Sequence, residues 1–240
     1  MMRAADSLSI VRRHTIACTR CPELRRYCAE VAARGKKEFS GEPYWGKPLP
    51  SLGGTGARLL IVGLAPAAHG GNRTGRMFTG DSSGAWLARS LYRYGFSTTP
   101  FSRHADDGYR LKDAFITAAL RCAPPQNKPT PVQLARCAIH MRAELALLRQ
   151  VRVAVGLGKI GFDTMLARLR ERGYALPRPR PRFAHAAEFD VSAGGTNTTI
   201  TAMACFHPSR QNTNTGKLSE AMLDGVFARA RDIITRGDSS

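Results

Sequence analysis

Four short stretches of the chain are predominantly apolar: 58–63 (RLLIVG), 114–120 (AFITAAL), 151–156 (VRVAVG) and 199–206 (TITAMACF). Runs of this length, rich in aliphatic and β-branched residues and mostly followed by Gly or Pro, predict strands buried on both faces. Between them the apolar positions change to helical spacing. Trp86, Leu87 and Leu91 fall on one side of 83–94; Leu134, Ala138, Met141, Leu145 and Leu148 on one side of 131–149; Phe162, Met165 and Leu169 on one side of 161–172. A last helix over 219–236 carries Met222, Leu223, Val226 and Ile233. Strands alternating with helices predict an α/β fold, with a parallel sheet covered on both faces. In that architecture ligands bind at the carboxyl ends of the strands. Three segments follow predicted strands, 63–81, 121–130 and 207–217, and are expected to meet on one rim. The stretch 177–182 (PRPRPR) is too proline-rich for a helix or a central strand and reads as an extended basic connector. No repeat divides the 240 residues, so one domain is expected, with 237–240 as a frayed tail.

Charge narrows the partners. The chain carries 36 Lys and Arg against 18 Asp and Glu, a net +18. That excess suits a polyanion, because neutralising phosphates releases counterions and gives salt-sensitive affinity for DNA or RNA. An arginine-rich composition without a nucleic-acid role is the alternative, since net charge carries no information about fold. No basic amphipathic helix stands out, no run of 18 apolar residues exists, and the N-terminal MMRAADSLSIVRRHT lacks the apolar centre of a signal peptide. A cytoplasmic protein that does not engage membranes is the expectation.

In a reducing compartment the six cysteines read as metal ligands or buried thiols rather than disulfides. Cys18 and Cys21 form C-x2-C near an expected helix start; Cys122 follows the second strand and Cys137 lies on the next helix. Four thiolates suit tetrahedral zinc or an iron–sulfur cluster, and spacing does not choose between them. Cys28, in a helix-like stretch, and Cys205, inside an apolar strand, read as core thiols. A structural site is expected, one that pins the N-terminal segment, about residues 1–50, and the 123–127 loop to the sheet.

The strand-end segments read GLAPAAHGGNRTGRMFTGD from Gly63, RCAPPQNKPTP from Arg121 and HPSRQNTNTGKL from His207. Together they resemble the signature segments of uracil-DNA glycosylases of the type B, or family 5, branch. The cysteine order is similar to that of the iron–sulfur glycosylases of families 4 and 5. The resemblance spans Cys18 to Leu218. It implies a three-layer α/β/α sandwich around a central, mainly parallel four-stranded sheet, and a structural 4Fe-4S cluster on Cys18, Cys21, Cys122 and Cys137. It also implies excision of deaminated bases from DNA in base excision repair, by a monofunctional enzyme without a nucleotide cofactor and expected to be monomeric.

Each motif residue has a chemistry that fits. Phe78 can stack on a base rotated out of the duplex, with backbone groups near Ala65 beside it; its other reading is plain core. Asn127 offers the donor and acceptor that the edge of uracil requires, or is a turn residue. His207 can donate a hydrogen bond to uracil O2 as charge develops on the departing base, or is a satisfied core histidine. Asp81 can orient water or stabilise an oxocarbenium-like sugar, and reads equally well as the N-cap of the helix that follows. Arg210 and Lys217 can hold phosphate while Gln211 or Asn212 fills the gap left by the extruded base; a solvated loop is the alternative. Arg73 and Arg76 are candidates for gripping the DNA backbone. His69 lies close by in sequence without an assignable role.

The first motif has Leu64, Ala65, Ala67 and Ala68 where many uracil glycosylases carry an Asp, Asn or Glu, an absence that the type B branch shares. Ala118 and Ala119 stand in place of the uracil-reading amide of family 4. The small-walled pocket thus expected is the reason hypoxanthine and ethenocytosine join uracil as substrates implied by the resemblance. Lys128 and Lys217, the lysines of these segments, sit beside expected phosphate contacts, so no Schiff-base lysine is evident. A non-catalytic iron–sulfur module recognising damaged or single-stranded DNA is the main rival. A metal-assisted nuclease is disfavoured because Asp81 has no acidic neighbour in the motifs.

Overall fold

The computed structural model describes residues 4–194 and 198–237. The elements run in the order α1 (Ala4–Ile16), α2 (Pro22–Arg34), β1 (Leu52–Gly53), β2 (Leu59–Gly63), α3 (Gly71–Thr74), α4 (Ser82–Arg93), β3 (Ala114–Ala118), α5 (Pro131–Leu147), β4 (Val153–Leu157), α6 (Gly158–Glu171), β5 (Tyr174–Ala175), β6 (Glu188–Ala193), β7 (Thr199–Cys205), α7 (Arg210–Asn214) and α8 (Glu220–Arg236). Short 3-10 turns lie at Lys37–Phe39 and Pro125–Asn127.

The four predicted strands are the parallel centre of the sheet, β3-β2-β4-β7. Their alternation sorts the core into two layers. On one face Leu59, Ile61, Ile116, Val153, Val155 and Met203 pack against Leu87 and Leu91 of α4 and Leu223, Val226, Phe227 and Ile234 of α8. On the other, Leu60, Val62, Phe115, Ala154 and Ala202 meet Met141 and Leu145 of α5 and Phe162, Met165 and Leu169 of α6. Every residue of β2, β3 and β4 is buried, which is why these strands read as continuous apolar runs. Helix starts are set by local chemistry. Thr130 and Gln133 form a capping box with Pro131 in the first turn of α5, and Ser219 caps α8 by accepting the Met222 N–H.

The sheet is wider than the four strands expected. Antiparallel β1 extends it beyond β3, and antiparallel β6 and β5 extend it beyond β7, giving seven strands. The PRPRPR stretch lies in the connection from β5 to β6 and has neither helix nor strand. Gly237 closes α8; the rest of the expected tail, 238–240, lies outside the described residues. Among the described residues no helix is long and apolar enough to cross a membrane.

Candidate active site

The three strand-end segments converge. Leu64, Ala65, Pro66, Ala67, Met77, Phe78 and Asp81 from the first, Gln126 and Asn127 from the second, and His207, Ser209, Arg210 and Gln211 from the third line one cavity of about 560 Å³, together with Ala118 at the end of β3. That volume lies within the usual range of small-molecule sites. The floor is the rim of the sheet, where Ala119 N–H donates to Gly63 O and Leu120 N–H to Leu64 O, both at 2.9 Å, continuing the β2–β3 pairing past the strands.

Phe78 lies at the bottom with left-handed backbone, φ 50°. Two close approaches hold it there. A Cβ on Gly63 would come within 2.8–2.9 Å of the Phe78 ring, and one on Gly84 within 2.2 Å of the Phe78 carbonyl oxygen. Only glycine at these positions lets strand and helix sit against the loop. The ring is part-buried and faces His207, with centroids 5.9 Å apart and planes tilted by 33°. The expectation that Phe78 is either core or a stacking face meets in one arrangement: its edge packs on the core while the residue lines the cavity.

His207 lies two residues past the end of β7. Its carbonyl accepts the Asn212 Nδ2–H at 2.8 Å, so Asn212 braces the histidine's backbone. Burial pushes the imidazole down to about 4, leaving it neutral and able to donate from one nitrogen. Asp81 caps α4: Oδ1 accepts the Gly84 N–H at 2.8 Å, and the carboxylate also lines the cavity. Burial holds its carboxyl above the usual range, against the lowering effect of the Gly84 and Ser83 N–H groups. The two sequence readings of Asp81 are therefore compatible.

Asn127 sits on a turn with left-handed backbone at both Gln126, φ 54°, and Asn127, φ 57°. Both residues are exposed and line the cavity. Gln126 was not among the expected site residues; its neighbour in sequence was, and only the turn geometry brings both to the wall. Arg210 is exposed at the mouth, 3.4 Å from Ser82 Oγ, and Gln211 is beside it. Lys217 does not line the cavity; its Nζ lies over the Phe206 ring. His69 is also outside it, with Nδ1 3.0 Å from Tyr44 Oη.

Two expectations are corrected. Arg73 and Arg76 are 8% and 7% exposed, and their guanidinium groups are engaged inside the protein. Arg73 pairs with Glu42, donates to His69 O and Gly80 O, and stacks over Phe39. Arg76 pairs with Asp107 at 2.7 Å and donates to Thr79 Oγ1, Ser102 Oγ and Ala105 O. They shape the loop rather than grip a phosphate backbone. The reason is that Glu42 and Asp107 supply carboxylates from distant parts of the chain, and a desolvated guanidinium takes such a partner.

On the other side of the 121–130 segment, Cys18, Cys21, Cys122 and Cys137 line a second, small cavity with Arg20, Arg25, Arg136 and His140. Cys21 precedes α2 at its N-cap position, and Cys137 lies on α5. The Arg121 N–H donates to Cys137 Sγ at 3.3 Å. Below, Arg121 pairs with Glu144 and Thr117, all fully buried. Cys28 is also buried there and donates to Ala123 O at 3.6 Å, while Cys205 lies in β7. Among the described residues no group of three or more His, Cys, Asp or Glu is gathered closely enough to hold a single metal ion. Four thiols flanked by arginines have the donor chemistry of a zinc or an iron–sulfur site.

Residues 50–231 match the family model described as the uracil DNA glycosylase superfamily. The chain is similar to a type-5 uracil-DNA glycosylase of Thermus thermophilus, 46% identical over 90% of this chain and 93% of that protein. It is similar to one of Mycobacterium leprae, 42% identical over 95% and 96%. A type-4 uracil-DNA glycosylase of Archaeoglobus fulgidus is 28% identical over 54% of this chain and 63% of its own length.

Proposed function

The chain belongs to the uracil-DNA glycosylase superfamily, and from that premise we propose that it is a monofunctional DNA glycosylase that hydrolyses the N-glycosidic bond of uracil in DNA. The observation that carries this reading is the shared cavity of Ala65, Phe78, Asp81, Asn127 and His207. A base extruded from the helix stacks on Phe78, and the Asn127 amide reads its edge. His207, kept neutral by desolvation, donates a hydrogen bond to uracil O2, where negative charge grows as the bond breaks. A donor oriented in advance acts on that charge and not on the ground state. Asp81, tied by the α4 cap, orients water or stabilises the positive charge that develops on the sugar. Arg210 at the mouth takes a phosphate, and Gln211 fills the space left in the stack. No lysine is among the residues lining the cavity, in keeping with hydrolysis rather than Schiff-base chemistry.

The walls beside Phe78 are small: Leu64, Ala65, Ala67 and Ala118. Hypoxanthine and ethenocytosine, both bulkier than uracil, are for that reason included as substrates. Cys18, Cys21, Cys122 and Cys137 would hold a 4Fe-4S cluster, whose service is structural, fastening α1, α2 and the 121–130 segment together. Arg20, Arg25 and Arg136 around the sulfurs offset the negative charge of such a group.

Duplexes bearing uracil, hypoxanthine or ethenocytosine, incubated in EDTA and then treated with alkali, test the proposal. Strand cleavage at the lesion is expected for all three. Binding without base release would identify a recognition module instead, and trapping of a covalent adduct with borohydride would overturn the hydrolytic assignment.

A further inference from the structure

The segment between α4 and β3 is not among the residues lining the cavity, yet it is anchored to the first motif by several hydrogen bonds and an ion pair. It leaves and returns at the end of the sheet where the strands begin, joined there by Thr98 N–H to Arg110 O at 2.9 Å and Lys112 N–H to Phe96 O at 2.8 Å. Its tip nonetheless reaches the first motif: the Gly80 N–H donates to Ser102 O at 3.1 Å, one residue before the cavity-lining Asp81.

The tip is held in one shape. Asp107 is buried against Arg76, and its carboxylate also accepts the backbone N–H groups of Arg103, His104 and Tyr109. Ser102 Oγ lies 2.6 Å from Thr79 Oγ1. Desolvating an ion pair gives little stability but fixes a conformation, and a long connection with such an anchor has a use at its tip. What it presents is Phe101, 42% exposed, with the exposed Arg103 guanidinium 5.2 Å from the ring centroid. A solvent-facing ring on a braced backbone offers a face to a nucleobase, and the cation beside it suits a phosphate.

We infer that Phe101 and Arg103 form a second nucleobase platform, which stacks an unpaired base of the strand flanking the lesion while Arg103 contacts that strand's phosphate. This rests on the DNA reading above and adds a contact outside the excision cavity. It gives the enzyme a preference for lesions next to single-stranded DNA.

The test uses single-stranded oligonucleotides carrying one uracil, with 5-iodocytosine placed at successive positions on either side, irradiated in complex with the protein and mapped by peptide mass spectrometry. An adduct on Phe101 from one flanking position is expected. Phe101→Tyr keeps it. Phe101→Ala abolishes it and weakens binding of the same oligonucleotide roughly tenfold, the effect of one base–aromatic stack, with the single-turnover excision rate at saturating enzyme unchanged. Excision that persists with no adduct on Phe101 at any position, or with wild-type affinity in Phe101→Ala, overturns this inference alone. A protein that neither binds nor excises overturns it together with the DNA reading.

Discussion

Asp81 holds the first turn of α4 by accepting the Gly84 N–H on Oδ1, while its carboxylate lines the cavity that contains His207. One side chain therefore serves stability and chemistry, and two substitutions separate them. Asn is as good an N-cap as Asp, whereas Ala forfeits the cap at a cost of about 1 kcal/mol. Asp81→Asn is expected to keep the wild-type urea midpoint and lose single-turnover uracil excision by about 10²-fold or more. Asp81→Ala is expected to lose both. A fully active Asp81→Asn enzyme would leave the carboxylate with the capping role only.

The parts of this molecule that could be read from sequence are those whose reason for existing is local. The runs around Leu60, Phe115, Ala154 and Ala202 are apolar because both faces of those strands are covered. β6 escaped notice because it lies near the sheet edge and alternates, with Val191 buried and Glu188, Asp190 and Ser192 exposed, so it never forms an apolar run. Arg73 and Arg76 misled for a different reason. A guanidinium in a basic chain looks like a phosphate contact until its carboxylate is known, and Glu42 and Asp107 are each 31 residues away. Gln126 was invisible because a left-handed pair on a turn, not residue chemistry, brings it to the wall.

The reassignment of Arg76 can be checked against Arg210. Arg210→Ala removes an exposed cation at the cavity mouth and is expected to lower by about 1 the slope of log affinity against log salt for DNA, with stability unchanged. Arg76→Ala strands the buried Asp107 and is expected to destabilise the fold by about 3–5 kcal/mol. A stable Arg76→Ala protein with a reduced salt slope would restore the phosphate role. Urea unfolding and fluorescence anisotropy across a salt series supply the two readouts.

Gly63 supports Phe78 by having no side chain. Gly63→Ala puts a methyl group within 2.8–2.9 Å of the ring, so the ring must move off the rim. The expected result is a raised KM for uracil-containing DNA, with the fold retained. An unchanged KM would mean that the position of the ring is not critical for base binding.

Two histidines make the fold acid-sensitive. Burial pushes both His207 and His140 down to about 4, whereas in the unfolded chain each titrates near 6.5. Between those values the unfolded state binds more protons. Their contribution is thus fully present above about pH 6.5 and is lost as pH falls through 4, at up to about 3 kcal/mol each. Asp81, raised by burial, acts in the opposite sense, its burial becoming less costly once it is protonated. Urea midpoints at pH 7.5, 6, 5 and 4 are expected to fall, and to fall less steeply in His140→Gln. Because His207 is already neutral at pH 6 and burial raises the Asp81 carboxyl, the acid limb of the excision rate is expected to follow Asp81 and to flatten in Asp81→Asn.

The cysteines divide into two groups by position, and a bound cluster would make the division visible. Cys122 and Cys137 flank the segment that carries Gln126 and Asn127, and Cys137 Sγ accepts the Arg121 N–H, so the sulfur cavity and the base cavity share one stretch of backbone. Cys205 lies 0% exposed in β7, at a distance from that cavity. Protein purified without oxygen is expected to be brown, with absorbance near about 400 nm from iron bound to thiolate and sulfide. Cys137→Ser is expected to lose the colour, most of its iron and the protease resistance of the 121–130 segment, and Asn127 with it, so that uracil affinity falls more than the rate of the bound complex. Cys205→Ser, at a buried core position, is expected to keep colour and iron and to lose only stability. If the purified chain is colourless and carries zinc, the cluster assignment is wrong while the pinning of the loop stands; if Cys137→Ser keeps its metal and Cys28→Ser loses it, Cys28 beside Ala123 is the ligand in its place.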